Sequence, residues 1–112
     1  MTDTKLFAGP GDGVWTDLGN GNRRRVILHN QALMTVEFTF EKGGIGALHS
    51  HPHVQASYIA EGLFEVTIDG KTETLGEGGS FIVPPNAVHG VKALEAGRLI
   101  DSFAPRRDDF LD

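Results

Sequence analysis

The sequence predicts an all-β protein folded as a closed sandwich or small barrel, and three observations carry that expectation. Apolar and polar residues alternate cleanly in two stretches, Met34-Val36-Phe38-Phe40 against Thr35-Glu37-Thr39, and Phe64-Val66-Ile68 against Glu65-Thr67. A period of two is the mark of half-buried strands. Turn residues recur at short intervals, at Gly19-Asn20-Gly21-Asn22, Gly43-Gly44, Gly62, Asp69-Gly70, Gly76 to Gly79 and Glu95-Ala96-Gly97. No stretch keeps a helical period. Eight or more short strands at this spacing close on themselves more readily than they lie open.

Taken in order, residues 1–13 are polar and Gly-rich and read as a loose lead-in. Trp15 and Leu18 are the first expected anchors. Arg23 to Arg25 open a strand that runs to His29; such a basic triplet could bind an acidic ligand, but a solvated strand end is the favoured reading. His29 reads as structural or exposed. The strand Leu33 to Glu41 follows, broken by Gly43, Gly44 and Gly46 before a histidine-bearing strand. Val54 to Glu61 turns at Gly62 into Leu63 to Asp69. Asp69-Gly70 is the strongest hairpin signal, suited to a type I′ turn, with Lys71 to Leu75 as the return strand. Ser80 to Val83, His89 to Leu94 and Arg98 to Phe103 complete the set. Pro105 ends the last strand and residues 104–112 form an acidic tail.

With 112 residues the chain is expected to form one domain, residues 1–112, around a single core. Its net charge of −5 argues against nucleic acid and anionic membranes as main partners. With no cysteine, any metal must be held by nitrogen and oxygen donors. No apolar run approaches a membrane span, and the first residues carry no targeting signal, so the cytoplasm is the expected compartment.

The chemistry concentrates in GGIGALHSHPHVQASYIAEG, residues 43–62. His49 and His51 are two apart and project to one face of an extended strand. Gln55 returns to that face if Pro52 bends the chain without reversing it. Neutral imidazole is the commonest protein ligand for zinc, nickel and iron, and convergent donors are what a divalent ion needs. A competing register pairs His51 with His53, but it would want an amide or carboxylate at position 57, which is Ser57. About forty residues on, GGSFIVPPNAVH supplies a fourth donor, His89.

These two stretches resemble the paired motifs of the cupin superfamily. The first, G-x5-H-x-H-x3,4-E-x6-G, is matched in spacing by Gly43, His49, His51, Gln55 and Gly62, with Gln55 in place of glutamate. The second, G-x5-P-x-G-x2-H-x3-N, is matched by Gly78, Pro84 and His89. Asn86 stands for its Gly and Ala93 for its Asn. Asn tolerates the left-handed backbone that Gly would supply. The resemblance implies the double-stranded β-helix (jelly-roll) barrel, as a single unit without internal repeat.

A narrower resemblance covers nearly all of residues 14–112. FEKGGIGALHSHPHVQ, FEVTIDG, VPPNAVHG and above all LEAGRLIDSFAPRRDDFL are similar to the small cupins of the KdgF group, which linearise unsaturated uronates. That similarity implies a 4,5-unsaturated monouronate from pectin or alginate as substrate and a linear keto-uronate as product. It implies a divalent ion (Zn, Ni, Mn or Fe) on His49, His51, Gln55 and His89, catalytic positions at Asp101, Phe103 and Arg107, and a homodimer. The residue types suit the chemistry. A guanidinium at Arg107 would hold a carboxylate in bidentate fashion, Phe103 offers an apolar wall to a sugar ring, and Asp101 would move a proton. The plainer reading of Arg107 is an ion pair with Asp108 or Asp109.

Three imidazoles and an amide leave an ion's double charge uncompensated, which favours Lewis-acid chemistry. Iron oxygenases usually use two histidines and a carboxylate, so a dioxygenase fits less well. A non-catalytic binder of a sugar or acid on the same barrel is the competing class.

Overall fold

The computed structural model describes residues 5–111; residues 1–4 of the lead-in and Asp112 of the tail lie outside the described residues. Ten strands form two antiparallel sheets. The larger is ordered β1 (Trp15–Gly19), β2 (Asn22–His29), β3 (Met34–Phe40), β10 (Gly97–Ala104), β5 (Val54–Glu61), β8 (Ser80–Val83). The smaller runs β4 (Ile45–His49), β9 (His89–Ala93), β6 (Leu63–Ile68), β7 (Lys71–Gly76). The two sheets make the double-stranded β-helix expected from the sequence. A single 3₁₀ turn, Asp108–Phe110, follows β10. No helix among the described residues is long and apolar enough to cross a membrane.

Strand parity dictates the core. Across the larger sheet, cross-strand partners line up in inward-facing rows. Arg24 sits opposite Phe38, which pairs with Leu99 and then Ile59. The next row holds Val26, Val36, Asp101, Ser57 and Phe81, and the next His29, Met34, Phe103, Gln55 and Val83. From the smaller sheet Phe64, Val66 and Ala93 close over Phe40, Ile59 and Leu99. Phe40 meets Phe64 edge to face, with ring centroids 5.3 Å apart. Fully burying such a side chain contributes about 1.5–3 kcal/mol. The far end of the sandwich, around Met34, Val36 and Phe103, is closed by Phe110 and Leu111 of the tail.

Two turns behave as their residue types require. Asp69 and Gly70 both have positive φ, 53° and 81°, as a type I′ hairpin demands. Asn86 sits at φ 68° where the motif usually has glycine, and its N–H donates to the His51 carbonyl at 2.8 Å.

Several local expectations need correction. Trp15 and Leu18 lie on β1, the edge strand of the six-stranded sheet, and Leu18 is exposed there. The Arg23–Arg25 triplet is not a solvated strand end. Arg23 lies over the Trp15 ring, Arg24 faces inward, and Arg25 pairs with Glu37 at 2.5 Å. Glu37, expected on a wet face, is only 6 % exposed, since Arg25 and Arg98 cover it from the neighbouring strands.

Candidate functional site

His49 and His51 do not share one strand. β4 ends at His49, and the chain then crosses through Pro52 to begin β5 in the other sheet, so Gln55 approaches from the opposite layer. His89 opens β9 directly across from His49. Their proximity requires a tight seam between β4 and β9. At Gly90 an added Cβ would lie 2.7 Å from the Gly46 carbonyl oxygen, so this position admits no side chain without a shift. The result is that one ligand atom from each of His49, His51 and His89 lies within 4.8 Å of the others.

Each of these rings is oriented through its Nδ1. His49 donates to the Ala47 carbonyl at 2.7 Å, His51 to that of His53 at 3.1 Å and His89 to that of Ala87 at 3.0 Å. A backbone acceptor on Nδ1 leaves the Nε2 lone pair for an ion, which is how proteins usually present histidine to metals. His89 Nε2 is buried and has no hydrogen-bond partner. Burial pushes the His51 and His89 imidazoles below their ordinary pKa, which favours the neutral, ligating form.

Gln55 is held in one orientation. Its amide nitrogen donates to Ser57 Oγ at 3.0 Å and to Asp101 Oδ2 at 3.4 Å, which turns Oε1 towards His51 Nε2 at 3.0 Å. With Nδ1 of His51 already donating, two lone pairs face one another across that gap. Metal–ligand bonds of about 2.1 Å at right angles put neighbouring donors about 3.0 Å apart. An orphaned buried imidazole nitrogen and this facing pair fit a divalent ion. His53 stands aside: it is not among the histidines whose ligand atoms converge, and its carbonyl orients His51.

Beside the histidines lies a cavity of about 220 Å³. His49, Gln55, His89, Asp101, Phe103 and Arg107 all line it, with Arg24, Phe38, Phe40, Phe81 and Phe110. Asp101, 5 % exposed, is the one carboxylate on this wall among the described residues. Burial pushes its pKa up to about 7, opposed by a hydrogen bond with Ser57, and its Oδ1 has no partner. Phe103 presents its ring edge-on to His51 at 5.7 Å. Arg107 is largely buried and fork-paired with Asp109, Nε to Oδ1 at 3.0 Å and Nη2 to Oδ2 at 2.8 Å. Its guanidinium lies 5.3 Å from the Phe103 centroid and 4.3 Å from that of Phe110. The ion pair with Asp109 read from the sequence is present, and the same side chain lines the cavity.

The sequence reading favoured a solvated strand end for Arg24 and gave Phe110 no place in the site, yet both line the cavity. Arg24 was legible from parity alone, since it lies two residues before Val26 on the inward face. Phe110 gave only the weak signal of an aromatic within an acidic tail.

A Cupin domain family matches residues 36–103, the span from β3 to Phe103 that includes both histidine stretches. Pectin degradation protein KdgF of Dickeya dadantii (strain 3937) is 44% identical over 99 residues, 87% of this chain and 90% of that protein. An RmlC-like cupin from Shewanella frigidimarina superposes with a TM-score of 0.93 at 40% identity, covering 99% of this chain and 100% of that one. KdgF from Halomonas sp. superposes at 0.91 with 37% identity, covering 96% and 100%. Two sheets that converge three histidines on one cavity, and relatives of this closeness along nearly the whole chain, place the protein in the cupin family, beside the KdgF proteins.

Proposed function

We propose that this protein linearises 4,5-unsaturated monouronates released from pectin or alginate, giving linear keto-uronates. The observation that carries the reading is one small cavity that combines a histidine cluster, a buried carboxyl and an arginine. The likeness to two KdgF proteins supports it.

The reaction is an isomerisation. The anomeric hydroxyl loses its proton, the C1 carbonyl forms and the C1–O5 bond breaks, leaving an enolate at C5. Its electron pair takes a proton at C4 and the C5 ketone results. One proton is removed and one returned, so a single group that accepts and donates suffices. Asp101 fills that role, as the carboxyl on the cavity wall with one oxygen unpartnered. Gln55 fixes its other oxygen. Phe103 and Phe110 wall the ring and keep water from it, and Arg107, braced by Asp109, meets the substrate carboxylate. A divalent ion held by His49, His51, Gln55 and His89 supplies Lewis-acid polarisation of substrate oxygens. The same reading includes a homodimer, supported by Tyr58 and Ile82, apolar and exposed on the outer face of the larger sheet.

The test is loss of ultraviolet absorbance on mixing purified protein with the 4,5-unsaturated monouronate, since the conjugated double bond disappears. Tight binding of that compound with no loss of absorbance would instead mark a ligand-binding protein.

A further inference from the structure

Ser57 joins the two polar halves of the site. It lies two residues beyond Gln55 on β5, on the same inward face, and directly across from Asp101 in the β5–β10 ladder. All three side chains are buried. A glutamine amide has two ends of nearly the same shape and opposite chemistry, an oxygen with lone pairs for an ion and a nitrogen that only donates. Which end faces the histidines is decided by the partners of the other end. Gln55 Nε2 has two of them, Ser57 Oγ at 3.0 Å and Asp101 Oδ2 at 3.4 Å, and the serine bond is the stronger by its length. A hydroxyl carries one proton and two lone pairs. The facing carboxylate of Asp101 accepts that proton in its hydrogen bond with Ser57, so Oγ is left to accept. Only the nitrogen end of Gln55 satisfies it, and Oε1 is turned to His51 Nε2, 3.0 Å away.

We propose that Ser57 is a positioning residue whose hydroxyl presents the oxygen end of Gln55 to an ion held by His49, His51 and His89. This rests on the reading above of Gln55 as a metal ligand, and is independent of the uronate as substrate. Without the hydroxyl, Gln55 keeps only the longer contact to Asp101, and the amide can swing its nitrogen towards the ion.

The experiment measures zinc affinity by competition with a chromophoric chelator. The proteins are wild type, Ser57→Ala, Ser57→Thr, Ser57→Val, Gln55→Ala and the double variant Gln55→Ala/Ser57→Ala. Loss of a residue that orients a metal ligand weakens affinity roughly ten- to a hundredfold. Ser57→Ala should show a loss in that range with the far-ultraviolet circular dichroism of the sheets retained. Threonine and valine share a shape and differ in the hydroxyl, so Ser57→Thr should bind zinc about tenfold more tightly than Ser57→Val. That comparison decides the matter should Ser57→Ala not fold. In the Gln55→Ala background, Ser57→Ala should cost no further affinity, because the hydroxyl acts only through the amide. Equal affinities of Ser57→Thr and Ser57→Val, or losses that simply add in the double variant, would assign Ser57 to packing and overturn the proposal. So would a wild type that takes up no zinc, or a Gln55→Ala variant as tight as wild type, which removes Gln55 from the ligand set. Turnover of the unsaturated uronate is followed separately. If turnover is absent while the zinc pattern holds, the reaction assignment fails and the Ser57 assignment stands. Turnover with additive zinc losses sinks Ser57 alone.

Discussion

Asp101 and its neighbours show how few groups the proposed chemistry requires. Asp101→Asn preserves shape and the hydrogen-bonding potential towards Gln55 while removing the proton carrier. Turnover should fall about 10²–10⁴-fold with metal content and melting temperature near those of wild type, read from kinetics and elemental analysis of one preparation. Near-full activity would make Asp101 structural. His89 carries a different expectation, because its Nε2 is buried without a partner. His89→Ala should abolish stoichiometric metal at micromolar protein, measured by plasma mass spectrometry after gel filtration. Retained metal would remove His89 from the ligand set.

At the level of strands, the site depends on the seam between β4 and β9. Gly90→Ala would drive a methyl towards the Gly46 carbonyl oxygen, now 2.7 Å from the ideal Cβ position. Strands β4 and β9 must then separate, and His49 with His89 moves out of convergence. The expected outcome is a metal affinity reduced at least tenfold in a competitive chelator titration, with the far-ultraviolet circular dichroism of the sheets retained. Unchanged affinity would show that the seam relaxes without disturbing the histidines. Ladder arithmetic explains why a substitution that touches no ligand reaches the site: β9 pairs with β4 and β6 at once, so it has no free direction in which to yield.

The whole barrel is expected to respond to core and metal together. Phe64 is fully buried between the sheets. Phe64→Ala should cost about 3–5 kcal/mol in urea unfolding, a large share of the roughly 5–15 kcal/mol that holds a domain folded. A loss below 1 kcal/mol would show that the sheets collapse to fill the space. Metal bound only by the folded chain adds about 2.7 kcal/mol at a hundredfold excess over its dissociation constant. Chelation should therefore lower the melting temperature by about 10 °C, followed calorimetrically, and no shift would count against a tightly held ion. The exposed Tyr58 and Ile82 lead to a dimer mass in light scattering at micromolar concentration. A monomer mass would count against the homodimer.

The fold class was readable from the sequence because strand period and turn chemistry are local. Alternation in Leu33 to Glu41 and Leu63 to Asp69 gave β3 and β6 to within a residue or two, and Asp69-Gly70 gave the hairpin. The spacing of the histidines likewise pointed to a cluster, since it is a property of the chain. What local pattern could not convey is which layer each residue joins. Pro52 bends the chain from one sheet into the other, so His49 and Gln55 face each other across the sandwich instead of lying side by side on one strand. Only the closed barrel brings Arg24 of β2 and Phe110 of the tail to the cavity, because their contact spans most of the chain length. The burial of Glu37 between Arg25 and Arg98 was hidden for the same reason. A carboxylate on an alternating strand reads as wet until the strands that supply its cations are known.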